Sequence, residues 1–291
     1  MRAVPYKQVD VFSSTPFHGN PVAVILDAAG LDTARMQRIA HWTNLSETTF
    51  VLPPTAPGAS YRVRIFTPRQ ELPFAGHPSV GTAHAVLEAG LATAEDGAMV
   101  QECGAGLLPV RVDADADEGG RLIHVQAPKA RLSAPVAGDV EALAGALGAT
   151  PLSDPAPQVV DNGPQWWVAG FDSASTVRAL APDMARLSAL TLARGAVGVA
   201  VYGPSDEDGI AMAVRCFCPA DGIPEDPVTG SGNAAIAAFL QAHDALPAKQ
   251  WVASQGRELG RDGRVAMRVE ADGIHLGGRA VTVMDGLIRL D

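Results

Sequence analysis

The chain has 291 residues, 47% apolar and 19% charged, with a formal net charge of −10; that length suits one large or two modest globular domains with ample material for a core. The acidic balance, with no run of Lys or Arg, argues against nucleic acid or an anionic membrane as partner. The start, MRAVPYKQVDVF, lacks the apolar core of a signal peptide, and no stretch approaches the ~20 apolar residues of a spanning helix, so a cytoplasmic location is expected.

In chain order, a strand leads into Gly19-Asn-Pro21, a helix is expected over 32–42, and Tyr61-Arg-Val-Arg-Ile-Phe66 alternates as a half-buried antiparallel strand does. The run ELPFAGHPSVGTAHA (71–85) opens a helix over 77–87 that is apolar or small nearly all round, the pattern of burial on every side. Pro78 suits its first turn and Gly90 its end. Strands are expected at 107–113 and 121–127, and the Ala- and Pro-rich segment 128–156 reads as a linker. Beyond it come Asn162-Gly-Pro164, a helix over 183–190, and EDPVTGSGNAAIAAF (225–239), which opens a second all-round apolar helix over 231–240. Ser231 would cap that helix and the His243-Asp244 pair would end it, with strands following at 263–270 and 281–290. Three cysteines, Cys103, Cys216 and Cys218, are an odd number without zinc-type spacing, which predicts reduced, packed thiols and no metal framework.

The chain repeats itself. Glu71-x-Pro73-Phe74-Ala75-Gly76 matches Glu225-x-Pro227-Val228-Thr229-Gly230 at an offset of 154. Upstream, Arg64-Ile-Phe66-Thr-Pro68 matches Arg215-Cys-Phe217-Cys-Pro219, and Phe50-Val-Leu-Pro53 matches Val201-Tyr-Gly-Pro204, both at 151, so the second half carries three extra residues in between. Gly19-Asn-Pro21 corresponds loosely to Asn162-Gly-Pro164. Several matches in preserved order imply duplication of a domain-sized unit. The expected architecture is α+β, two pseudo-symmetric domains, each a mostly antiparallel, barrel-like sheet around a central helix. The first domain is expected over 1–128, completed by 280–291, and the second over 129–279.

Each copy delivers a helix N-terminus after an x-Pro-x-x-Gly turn. If the copies pack about a pseudo-twofold axis, both N-termini face one cleft, where backbone N–H groups and the helix dipole favour a carboxylate or a developing enolate. His77 and Ser231 are equivalent at the 154 offset. A serine there is most simply a cap, whereas histidine caps poorly but serves well as a donor or proton shuttle. Asp226, otherwise an ordinary Asp-Pro turn former, stands where the first copy has Leu72; Glu47, otherwise a solvated loop acid, has Gly198 as its mate. In both cases the polar group exists in one half only, as a site for a single asymmetric substrate requires. A carboxyl in an apolar cleft has its pKa raised, which suits acid and base work near pH 7.

Other templates fit poorly. Gly230-x-Gly232-x-x-Ala235 has the outline of a dinucleotide fingerprint but follows a proline-bearing stretch that is no buried parallel strand. Ser231 lacks the Gly-x-Ser-x-Gly frame, since position 229 is Thr. His18, His41, His84, His124, His243 and His275 show no metal-ligand spacing, and Trp166 and Trp167 read as core or wall.

The strings VDVFSSTPFHGNPVAV, MQRIAHWTNLSETTFV, FTPRQELPFAGHPSVGTA and EDPVTGSGNAA together resemble the phenazine-biosynthesis PhzF family over nearly the whole chain. That family is similar to diaminopimelate epimerase and proline racemase, so the resemblance implies their duplicated fold. It also implies proton transfer with no cofactor and no metal, with Glu47 as the shuttling acid/base and a dimer as the assembly. His77, Asp226 and Ser231 would bind and polarise the substrate, and the helix-entry residues Gly76, Pro78, Ser79, Gly230 and Gly232 would hold its acidic groups. The racemase relatives place a cysteine before each turn glycine; here those positions are Ala75 and Thr229, so inversion by two opposed thiols lacks its groups.

The expected function is isomerisation of a small, unsaturated, carboxylated molecule by movement of a proton between carbons. An amino-acid racemase or epimerase would instead exchange solvent deuterium into a chiral α-carbon with loss of optical purity. A noncatalytic metabolite-binding protein on the same scaffold would convert no ligand, with or without Glu47.

Overall fold

The computed structural model describes residues 2–114 and 120–290. The chain divides into two compact units, residues 1–126 with 277–291, and residues 127–276. The first contains β1 (Arg2–Val11), β2 (Asn20–Ile25), α1 (Thr33–Thr43), β3 (Glu47–Leu52), β4 (Tyr61–Phe66), β5 (Glu71–Leu72), α2 (Gly76–Glu88), β6 (Ala98–Cys103), β7 (Gly106–Ala114) and β8 (Arg121–Gln126). The second contains β9 (Arg131–Leu132), α3 (Asp139–Leu147), β10 (Gln158–Asp161), β11 (Gln165–Gly170), α4 (Ala174–Ala179), α5 (Met184–Arg194), β12 (Gly198–Pro204), β13 (Met212–Cys218), β14 (Ile223–Asp226), α6 (Gly230–Ala242), β15 (Gln250–Gln255), β16 (Gly263–Glu270) and β17 (Gly273–Gly278). The last strand, β18 (Ala280–Leu290), belongs to the first unit, where it pairs antiparallel with β1 from Arg2↔Leu290 to Val11↔Ala280.

Each unit is the α+β arrangement expected from the alternating strands and the apolar helix. In the first, β1–β2, β3–β4, β6–β7 and β7–β8 pair antiparallel, while β2–β3 and β4–β6 are the parallel pairs, each joined through a helix. That agrees with the rule that parallel neighbours need a crossover. The sheet wraps α2, which touches β1, β2, β3, β8 and β18, and ten residues of the helix are buried. Contact is close enough that a Cβ on Gly81 would lie 2.5 Å from Val22 Cγ1 and 2.8 Å from Val11 Cγ2. In the second unit α6 is held in the same way by β10, β11, β12 and β16.

The duplication is visible in the hydrogen-bond register. Thr48↔Phe66 in β3–β4 becomes Val199↔Phe217 in β12–β13, and Ile65↔Leu72 becomes Cys216↔Asp226. The change of offset between these pairings is taken up by the single 3₁₀ turn Pro219–Asp221, closed by Gly222 with φ +82°, between β13 and β14. Both copies keep a fork-to-fork arginine–glutamate pair at the hairpin. Arg64 holds Glu71 at 2.7 and 2.6 Å, and Arg215 holds Glu225 at 2.8 Å through both nitrogens. Each guanidinium also covers the next aromatic ring on its strand, Phe66 at 5.1 Å and Phe217 at 4.8 Å.

Three local expectations change. The segment 128–156 is no plain linker: α3 spans Asp139–Leu147 and sends Leu143, Ala146 and Leu147 into the core of the second unit. Those three follow the i, i+3, i+4 spacing of a helix face, which the flanking prolines obscure in a composition reading. The central helices start one residue earlier than expected, with Ala75 and Thr229 as N-caps, so His77 and Ser231 lie inside the first turn. Ser231 is therefore not the cap. Neither cap residue bonds its helix through its side chain, because Ala75 has no polar group and the Thr229 hydroxyl is turned to Asp226.

The Arg–Glu pairs differ in burial, both side chains of Arg215–Glu225 being 7% exposed and those of Arg64–Glu71 20% and 38%. Removing the acid from the buried pair strands a guanidinium that otherwise bonds only Glu225 and backbone carbonyls. Glu225→Ala is expected to lower unfolding free energy by ~3–5 kcal/mol and Glu71→Ala by ~1 kcal/mol or less. Urea denaturation of the two variants measures the contrast.

Candidate active site

In the first unit, Glu47 opens β3, its backbone fixed by the parallel pairing Val22↔Glu47. Its side chain is 16% exposed, and Oε2 lies 3.4 Å from Nε2 of the buried His77 on the first turn of α2. Among the described residues no hydrogen bond reaches that Oε2. Burial penalises the ionised form and pushes the Glu47 carboxyl up to about 7; a hydrogen bond from Ser46 opposes the shift without cancelling it. The carboxyl thus changes charge near neutral pH, within a small rotation of an imidazole nitrogen.

The N-terminus of α2 sits beside this pair. Helix geometry leaves the Gly76 and His77 N–H groups without intrahelical acceptors, Pro78 has no N–H, and the Ser79 N–H closes on Ala75 O at 3.3 Å. The Ser79 hydroxyl is buried and accepts from Gln101 Nε2 at 3.0 Å, while Gln101 Oε1 accepts from Tyr61 at 3.0 Å. Ser79 therefore braces the helix start from within; its side chain is committed to the scaffold.

In the second unit, Asp226 ends β14 and accepts the Thr229 hydroxyl at 2.5 Å. The buried amide of Gln255 staples this turn to the helix. Its oxygen accepts from Thr229 N and Asn233 Nδ2, both at 2.9 Å, and its nitrogen donates to Asp226 O at 3.0 Å and Thr229 Oγ1 at 2.9 Å. The half-buried Ser231 accepts from Trp166 Nε1 at 3.0 Å, and its carbonyl accepts from Asn162 Nδ2 at 2.9 Å. The first turn of α6 presents the N–H groups of Gly230, Ser231 and Gly232, one more than α2 because no proline intervenes. Gly232 has no space for a side chain: a Cβ there would lie 2.5 Å from Cys216 Sγ.

The profile of the phenazine biosynthesis-like family, PhzC-PhzF, matches residues 9–286. The chain belongs to the PhzF family. Among its relatives, this PhzF protein is 38% identical to Antisense-enhancing sequence 1 of Schizosaccharomyces pombe over 97% of each chain. It is 36% identical to trans-2,3-dihydro-3-hydroxyanthranilate isomerase of Pseudomonas aeruginosa, over 92% of this chain and 91% of that one. A crystal structure of a PhzF family protein from Bacillus anthracis superposes with a TM-score of 0.86 at 26% identity, covering 99% of this chain and all of the other. A probable proline racemase from Agrobacterium radiobacter shares the fold alone, with a TM-score of 0.65 at 14% identity over 99% of this chain and 93% of that one. The isomerase names among the relatives support an isomerase here.

Of the residues singled out in the sequence, Glu47, His77, Gly76, Pro78 and Ser79 come together at the start of α2, and Asp226, Gly230, Ser231 and Gly232 at the start of α6. Motif reading passes over Gln255 and gives Asn162 and Trp166 no part in the site, yet all three shape the α6 turn from distant parts of the chain. Trp167 is core, but Trp166 is also a hydrogen-bond donor to Ser231. The signal for it lies in the register: Trp166 pairs with Gly198, the mate of Glu47. A Cβ at Gly198 would lie 2.3 Å from Phe217 O and 2.8 Å from Trp166 Cζ3, so backbone and indole together leave no room for a side chain there. Away from these turns, ligand atoms of Glu270, Asp272 and His275 lie within 4.8 Å of one another around the β16–β17 hairpin, a grouping that histidine spacing alone does not disclose.

Two outcomes follow from this geometry. Since Phe217 O is backbone and cannot swing away, Gly198→Ala is expected to cost ~1–3 kcal/mol in denaturant titration. Because the folded Glu47 carboxyl holds its proton up to about 7 and the unfolded one only to about 4.5, wild type loses stability as pH rises between those values. Glu47→Gln escapes that loss, so its stability relative to wild type is expected to rise by a few kcal/mol (about 1.4 per pKa unit, before solvent screening) from pH 4 to pH 8. An unchanged difference across that range would contradict the burial argument.

Proposed function

We propose that the protein is a cofactor-independent isomerase that moves a proton between two carbons of a small, unsaturated, carboxylated substrate, with Glu47 as the acid/base. The observation that carries this reading is the Glu47 carboxyl itself, buried, poised near pH 7 and 3.4 Å from His77 Nε2. The ionised carboxylate takes a proton from an sp³ carbon, and the C–H electron pair passes into the adjacent unsaturated system. The carboxylic acid so formed returns the proton to a second carbon of the same face and recovers its charge, so substrate and product are isomers and nothing is consumed. Positioned acid–base groups of this kind supply ~10²–10⁴-fold, and hydrogen-bond donors that meet developing negative charge supply more. His77 is the nearest candidate donor, and the backbone N–H groups of the helix starts are suited to acidic groups. Asp226 and Ser231 are assigned to substrate binding, Asp226 as an acceptor for a protic substituent.

The relative named trans-2,3-dihydro-3-hydroxyanthranilate isomerase supplies a trial substrate of this description, an unsaturated amino-carboxylate. Racemase chemistry is less well supported. The thiol beside the start of α6, Cys216, is fully buried, and burial holds its pKa far above the ordinary thiol range, so it stays protonated.

With the trial substrate, Glu47→Gln is expected to lower kcat by at least ~10²-fold while substrate binding survives. NMR in deuterated water would show whether the migrating hydrogen is carried over, as a single shuttling carboxyl requires. Because the base must be ionised, kcat/KM of the wild type should climb with pH and level off above about 7, the activity at pH 5 being ~100-fold below the plateau. A profile flat from pH 5 to 8, or full turnover by Glu47→Gln, would remove Glu47 from the role.

A further inference from the structure

We infer that Trp166 is a positioning residue that fixes Ser231 as a hydrogen-bond donor to the carboxylate of the substrate, an inference that rests on the isomerase reading above. The argument begins with proton inventory. An indole nitrogen can only donate, whereas a serine hydroxyl has one proton and two acceptor lone pairs. Trp166 Nε1 lies 3.0 Å from Ser231 Oγ, so one lone pair is occupied and the hydroxyl proton points elsewhere. The same serine is tied through its carbonyl to Asn162 Nδ2, which fixes its backbone as well. Ser231 lies in the first turn of α6, where the N–H groups of residues 230–232 and the helix dipole favour negative charge. A hydroxyl forced to donate beside such donors selects an anion.

The first copy makes the opposite choice at the equivalent place. There the partner of the first-turn residue His77 is a carboxyl, Glu47, whereas the second copy has Gly198 at that position, with the edge of the Trp166 ring against it. Trp166 is 4% exposed and paired in register with Gly198, so its ring has little freedom to leave Ser231. The α2 tip thus has a carboxyl beside its first-turn residue, whereas the first-turn hydroxyl of α6 has an indole N–H and is left to donate. Such a donor is suited to a carboxylate.

The test uses anthranilate, an aromatic amino-carboxylate without a migrating hydrogen, titrated calorimetrically into the full chain, together with steady-state kinetics on the trial substrate. Trp166→Phe keeps the ring bulk and loses the N–H. It is expected to weaken anthranilate binding and raise KM by about 10-fold, with kcat within about twofold and the pH midpoint near 7 unmoved, as loss of one charge-assisted bond predicts. Ser231→Ala should match it, the double variant should be no worse than either single one, and Trp166→His, which returns a ring N–H, should recover part of the affinity. Multiplying effects, an unchanged dissociation constant for Trp166→Phe, or no anthranilate binding by wild type would overturn the inference. If Trp166→Phe does not fold, ¹⁵N spectra of the wild type decide: of the four tryptophan indole signals, the one displaced by Ser231→Ala must also move on adding anthranilate. Failure of the isomerase reading appears separately, as turnover that survives Glu47→Gln or is never seen, and leaves the anthranilate titration readable.

Discussion

The geometry at the start of α2 turns on one carboxyl, that of Glu47, held largely out of water. A glutamate on an exposed loop would be ionised throughout the physiological range. At the first residue of β3, beside the start of α2, the Glu47 carboxyl instead meets a medium that resists its charge. The sheet is what makes this possible. Parallel pairing with β2 fixes the backbone of Glu47, and a helix sunk in the barrel with hardly a gap at Gly81 keeps His77 from drifting.

The two copies separate what duplication preserves from what it releases. Scaffold contacts are kept in kind: the arginine–glutamate fork, the aromatic ring beneath the guanidinium, and a buried glutamine bonded to the second residue after His77 and the second after Ser231. The helix tips have diverged in every polar group. Glu71 and Glu225, the acids most obvious in the repeated motif, are occupied by their arginines and are structural; the acids that break the symmetry, Glu47 and Asp226, stand next to the tips.

Much of this is legible in the sequence because turn chemistry is local. Pro-x-x-Gly spacing locates the starts of both central helices to within a residue, and the shift of offset from 151 to 154 locates the extra 3₁₀ turn at Pro219–Asp221. The same spacing makes Glu47, Asp226 and their missing partners comparable across copies. Side-chain contacts across the sheet are not local and stay hidden. Nothing near Ser231 announces that Gln255 staples its turn or that Trp166 reaches its hydroxyl, since both come from strands far along the chain. Helix α3 escapes notice for a different reason: its apolar face is three residues long, too short to stand out among alanines and prolines.

The return of β18 to the first unit has a bearing on synthesis. Strand β1 precedes its partner β18 by more than two hundred residues, so during synthesis that edge waits with its amides unpaired on that side until β18 has been added. The second unit, drawn from one continuous stretch, has all its strands in hand sooner. Maturation of the half that bears Glu47 therefore waits for β18, and a chain that stopped short of it would carry an open strand edge exposed to self-association.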